Sequence, residues 1–211
     1  MSDDPQKDPD LLLSLNGVEK DYRSLRPLRI RHLELRAGDT VAILGLDQAA
    51  AEVLVNLLAG ATVPDRGEVR VLGQSTADIT TGSAWLEALD HLGIITERAV
   101  LLDQLTVEQN LLLGQKSTRG GGRWSMEDMF ELFPRLRERA DTEGGVLSGG
   151  EQQMLTLCRT LMGDPELIMI DEPTEGLAPK IVELVAEFLR ELKRRGTSVL
   201  LVEQKLTIAL E

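Results

Sequence analysis

The stretch that most constrains the fold lies near the C-terminus. An apolar run, "ELIMID" (166–171), is followed by the proline-led segment "PKIVELVAEFLRELKRRG" and a second apolar run, "TSVLLVEQ" (197–204). Strand, crossover helix, strand is the pattern of a parallel sheet, because parallel neighbours need a long connection rather than a tight turn. The middle segment reads as that crossover. Pro179 suits a first turn, Ile181, Val185, Phe188 and Leu192 share one face, basic residues fill the last turn and Gly196 stops it. The chain is therefore expected to be α/β, with a parallel core sheet.

The N-terminal half is richer in strand signals: "LLLSL" (11–15), "LRIRHLEL" (28–35), "TVAIL" (40–44), "EVRVL" (68–72) and "LGIIT" (92–96). Helical spacing appears at Ala50 to Leu58, at 83–92 and at 106–114, and dominates from Met126 onward. "GQKSTRGGGRW" (114–124) reads as a surface connection within one domain, since neither side alone holds a complete sheet. A length of 211 residues suits one substantial α/β domain. No apolar run approaches the roughly 20 residues of a membrane helix, and the acidic start is no signal peptide, so the chain is expected to stay in the cytosol. A net charge of −12 argues against nucleic acid as a partner. Cys158, set among Leu155, Leu157 and Leu161, reads as a core residue.

"LSGGEQQMLTLCRTLMGDPELIMIDEP" (147–173) carries the chemistry. Ser148 and Glu151 have the spacing of a capping box. That alone leaves Gly149 and Gly150 unexplained, since each lowers helix stability by up to about 1 kcal/mol relative to alanine. A helix start with a hydroxyl, unpaired N–H groups and no Cβ in the way admits a phosphate. Asp171 and Glu172 then fall at the C-terminal end of a strand, where open α/β sheets place ligands and where an acid pair can hold Mg²⁺ and polarise water.

"LSGGEQ" resembles the signature motif of ATP-binding cassette (ABC) ATPases, and "LIMIDEP" their Walker B strand. "EGLAP" and "VEQ" are similar to the ATP-binding subunits of branched-chain amino acid and urea importers. The resemblance implies the P-loop NTPase-like ABC fold: an antiparallel N-terminal β subdomain, a parallel core sheet and a helical subdomain. A single domain would span 1–211, with the core at about 1–96 and 141–211 and the helical subdomain at about 97–140, facing a membrane partner. The family continues past "VEQ", so the chain, ending at Glu211, is short at its C-terminus. By resemblance Glu172 is the catalytic glutamate and Asp171 a Mg²⁺ ligand. Gln204 stands where a histidine contacts the terminal phosphate, Glu97 falls at the Q-loop glutamine and Tyr22 where an aromatic stacks on adenine.

The phosphate loop departs from this pattern. Aligned on Gly45, the family's G-x-x-G-x-G-K-S/T falls on Gly45, Gln48, Ala50, Ala51 and Glu52, so only the first glycine remains. Ala51 removes the cation for the β- and γ-phosphates, and Glu52 puts an anion where a hydroxyl should meet Mg²⁺. At about 5 Å and an effective dielectric near 20, each change is worth about 3 kcal/mol. Together they correspond to about four decades in affinity.

The resemblance implies ATP and Mg²⁺ as ligands, with a weak or silent site on this chain. It also implies a head-to-tail pairing in which Ser148, Gly149, Gly150 and Gln152 complete the ATP site of a second ABC subunit. Transmembrane permease subunits would hold the pair at the inner face of the membrane, for import of amino acids or related small polar solutes. A non-catalytic structural or regulatory subunit is the alternative. A nucleotide-free divalent-ion site built from Glu52, Glu97, Asp171 and Glu172 is a weaker one.

Overall fold

A computed structural model describes residues 8–22, 26–77, 89–95, 101–116 and 122–203. Two four-stranded sheets organise them. In the first, β1 (Leu11–Lys20) lies between β2 (Leu28–Arg36) and β4 (Arg66–Val71), with β5 (Gln74–Ser75) beyond β4, all antiparallel. The second is wholly parallel: β3 (Thr40–Leu44), β8 (Ser198–Glu203), β7 (Leu167–Asp171) and β6 (Leu92–Ile95), in that order. The antiparallel subdomain and parallel core expected from the sequence are both present.

Several boundaries moved for local reasons. β1 runs past the expected Leu15 because Gly17, at φ +60°, absorbs a register shift between Asn16 and Glu19. β4 stops before Leu72, whose φ of +50° begins the turn into β5. Within the helix expected at 83–92, residues 83–88 lie outside the described residues and Leu92 already belongs to β6. The amphipathic stretch from Met126 forms two helices, α3 (Met126–Leu132) and α4 (Pro134–Glu138), split at Phe133. Pro134 disfavours helical torsions at the residue before it, and its ring fits the first turn of a new helix.

Four further helices complete the layers: α1 (Gln48–Leu58), α2 (Val107–Gly114), α5 (Gly149–Met162) and α6 (Pro179–Arg194). Strand alternation decides which pack on which face of the parallel sheet. Ile168, Ile170, Val199 and Leu201 point into a core shared with α2 to α6. Leu167, Met169, Leu200 and Val202 point the other way, into a core shared with α1 and the antiparallel sheet. Cys158 is buried in the first core, and burial pushes its thiol well above the ordinary range, which suits an inert packing residue.

α6 delivers Val185, Phe188, Leu189 and Leu192 to the first core, each worth about 1.5–3 kcal/mol relative to exposure. Phe188 meets Phe133 with ring centroids 5.9 Å apart, joining α6 to the α3–α4 break. Gly196, at φ +73°, ends the run, and Arg195 just before it reaches back to α3. Its guanidinium meets Asp128 at 2.6 Å and lies over the Trp124 ring at 4.4 Å. Among the described residues no helix is long and apolar enough to cross a membrane.

Candidate functional site

The parallel register brings the carboxyl ends of three strands together. Leu44 of β3 lies opposite Glu203 of β8, and Asp171 of β7 lies opposite Val202 of the same strand. Two backbone bonds extend the ladder past the strand ends: Gly45 N–H donates to the Glu203 carbonyl at 3.0 Å, and Glu172 N–H to the Val202 carbonyl at 2.9 Å. The structure thus places Gly45 and the Asp171–Glu172 pair on either side of the end of β8, the crevice position of open α/β sheets. Gly45 is at φ +81°, which only glycine adopts at no steric cost.

Asp171 and Glu172 are both buried. Glu172 sits at φ +46°, a left-handed conformation that costs about 1–3 kcal/mol and persists only where the surroundings hold it. Sequence reasoning did not assign a role to Glu203. Its carboxyl is buried and accepts the Thr174 hydroxyl at 2.9 Å. Burial pushes it up to about 7, a shift the Thr174 bond opposes, while a hydrogen bond with Glu172 and the charges of Glu172 and Asp171 add to it. Three acids therefore crowd one strand edge, and at neutral pH the third holds its proton part of the time. The available signal was the pairing of "LIMIDE" with "VLLVE", two apolar strands ending in acid.

The turn after Gly45 is short, and α1 starts at Gln48. Asp47 is its N-cap: Oδ1 accepts the Ala50 N–H at 2.8 Å, and its backbone carbonyl accepts the Ala51 N–H at 2.9 Å. Ala50 and Ala51 are buried in the second core, while Glu52 faces outward. Tyr22 is half-buried beyond the end of β1 and packs against the core that holds α1.

The residues present fit the two expected ligands unequally. A pair of carboxylates at a strand end suits Mg²⁺, which needs one or two such ligands and keeps several waters. The loop does not suit a triphosphate: it has a carboxylate on its helix N-terminus, a buried alanine at the lysine position and an acid at the hydroxyl position. Among the described residues no group of three or more His, Cys, Asp or Glu side chains is arranged to hold a metal ion. Glu97 and Gln204 lie outside the described residues.

The signature residues lie on the other face of the sheet. Ser148 caps α5, and its capping box is fully formed. The Glu151 carboxylate accepts the Ser148 N–H at 2.9 Å and its hydroxyl at 2.8 Å, while Glu151 N–H donates back to Ser148 Oγ at 3.4 Å. Partial burial pushes the Glu151 carboxyl up, yet Ser148, Arg139 and Arg135 hold it below its ordinary value. The two glycines differ. A Cβ on Gly149 would meet open space, whereas one on Gly150 would lie 3.2 Å from Ile181 Cγ1, so Gly150 lets α5 approach α6. Gln152 is half-buried and turns inward, donating from Nε2 to the Gly144 carbonyl at 3.0 Å and bracing the turn Gly144–Val146 before the motif. Exposed Ser148 and Gly149 are left as the outward part of the motif.

Residues 28–175 match the family model described as ABC transporter, across both halves of the chain. The high-affinity branched-chain amino acid transport ATP-binding protein BraG of Pseudomonas aeruginosa is 33% identical over 95% of this chain and 85% of its own length. The lipoprotein-releasing system ATP-binding protein LolD 1 of Rhodospirillum rubrum is 31% identical, over 88% of this chain and 85% of its own length. Other relatives are longer: the chain spans 32% of the macrolide export ATP-binding/permease protein MacB of Photorhabdus laumondii, at 32% identity over 95% of this chain. The solved structure of an ATP-binding subunit of an ABC transporter has a TM-score of 0.76 at 24% identity, covering 92% of this chain and 80% of that one, and shows the shared fold. A dimeric ATP-binding cassette in a post-hydrolysis state with ADP and Pi has a TM-score of 0.72 at 25% identity, covering 94% and 90%.

Proposed function

The chain belongs to the ABC transporter family, and from that premise we propose that it is an ATP-binding subunit whose signature motif serves a partner's ATP while its own phosphate loop holds nucleotide weakly. Ser148, Gly149 and Gly150, braced by Gln152, complete the site of a second cassette bound head to tail. Tyr22, Gly45, Asp171 and Glu172 belong to the weak site of this chain, and the resemblance assigns Glu97 and Gln204 to the same site. Residues 1–211 act as one cassette, held on the cytoplasmic face of the membrane by permease subunits. The name of BraG supports amino acids or related small polar solutes as cargo.

The observation that carries this reading is the separation of the two phosphate-facing elements. α1 belongs to the core on one face of the parallel sheet and α5 to the core on the other. In the ABC ATPases that the motifs resemble, cassettes pair head to tail and the signature of one chain closes on the ATP held by the loop of the other; α1 and α5 packing into different cores is compatible with that arrangement. Mixing the purified chain with a relative that has an intact phosphate loop should raise ATP hydrolysis above that of the relative alone. No gain over the relative alone counts against the proposal.

The inward turn of Gln152 favours a second reading, a non-catalytic subunit that uses the cassette as an interaction surface. Ser148→Arg separates the two. It abolishes the gain in the first reading and leaves function untouched in the second.

A further inference from the structure

We infer that Asp47 is a built-in stopper of the phosphate loop, a barrier to nucleotide separate from the missing lysine and hydroxyl. The inference rests on the reading above, in which this loop holds nucleotide weakly. An α-helix offers a phosphate its first free N–H groups and the positive end of its dipole. Here one side chain of the chain itself takes one of those places, and the next amide is spent on the first helical bond. Asp47 Oδ1 accepts the Ala50 N–H at 2.8 Å, and the Asp47 carbonyl accepts the Ala51 N–H at 2.9 Å. The third amide fixed at this bend, that of Gly45, points to the Glu203 carbonyl at 3.0 Å.

Charge adds to occupancy. Asp47 is exposed, and among the described residues its side chain bonds the Ala50 N–H. A phosphate approaching the Ala50 amide must displace a carboxylate and then sit beside it. Glu52, also exposed, follows five residues later, and the Asp171, Glu172 and Glu203 acids end the neighbouring strands. Restoring a cation at position 51 therefore leaves the Ala50 amide capped and the carboxylate in place. Asp47→Asn keeps an acceptor for the cap and removes the charge, which isolates the electrostatic part.

The test compares A51K/E52S with D47N/A51K/E52S by calorimetric titration with MgATP, the fold of each checked by circular dichroism. The triple variant is expected to bind at least tenfold tighter than the double, and equal affinities overturn the inference. A second arm avoids lysine at a buried position. With sodium tripolyphosphate as probe, the Ala50 amide resonance should stay in place in E52S and move in D47N/E52S; movement in both, or in neither, overturns it. If the wild type itself binds MgATP in the micromolar range, the weak-site reading fails instead.

Discussion

The Thr174 hydroxyl donates to the Glu203 carboxyl at 2.9 Å, tying the loop after β7 to the end of β8. The bond helps hold an acid that burial and its acidic neighbours push up to about 7. A raised folded-state value means that the native chain binds the proton more tightly than the unfolded one. The associated stability is present below the ordinary value of 4.5 and is lost as pH rises through about 7. Glu203→Gln removes this loss. In metal-free buffer with chelator, urea unfolding should find the variant more stable than the wild type above about pH 8, by up to about 3 kcal/mol, and nearly equal near about pH 4. No gain at the higher pH contradicts the placement of Glu203.

Asp47→Ala should lower stability by about 1 kcal/mol through loss of the α1 cap, and Asp47→Asn by much less. Chemical denaturation of the three proteins decides it. Equal losses in the two variants would place the effect in the charge rather than in the cap bond.

Gly149 and Gly150 should part company. Gly149→Ala meets open space and should stabilise α5 by up to about 1 kcal/mol, whereas Gly150→Ala gains less because its Cβ lies 3.2 Å from Ile181 Cγ1. If Gly149 is kept bare for a partner's phosphate, the same alanine variant, though more stable, should stimulate a loop-competent relative less. A stable Gly149→Ala with full stimulation contradicts that role.

Arg195→Met should cost about 1–3 kcal/mol, since the guanidinium joins Asp128 and Glu191 at 2.6 Å and covers Trp124. The Arg195 guanidinium holds Asp128 down at about 2, although partial burial opposes this and Ser125 assists. A depressed value means that the contribution is present above the ordinary carboxylate range and is lost only as pH falls through about 2. Thermal melts near about pH 4 should therefore show nearly the same penalty for Arg195→Met as at neutrality. A penalty that vanishes there contradicts the pairing.

Elements set by periodicity and punctuation were legible in the sequence. Pro179, the apolar stripe and Gly196 bounded α6, and apolar runs located β3, β7 and β8. Strand alternation was less informative, because β7 and β8 are apolar on both faces and nothing in their sequence says which helix lies on which side. The acid pair was legible because it ends a buried strand. Glu203 was not, since its role depends on the register that sets β8 beside β7. Asp47 carried a readable signal, an aspartate just before a helix, which was masked by aligning the bend as a phosphate loop. Gly150 required the approach of Ile181 from a later helix, far along the sequence.

Titration of the purified chain with MgATP, with no second protein present, tests the central claim most directly. A dissociation constant in the millimolar range or weaker is the expected result. Micromolar binding would contradict the account, because the carboxylate of Asp47, the alanine at 51 and the acid at 52 leave the loop no cation with which to hold a triphosphate.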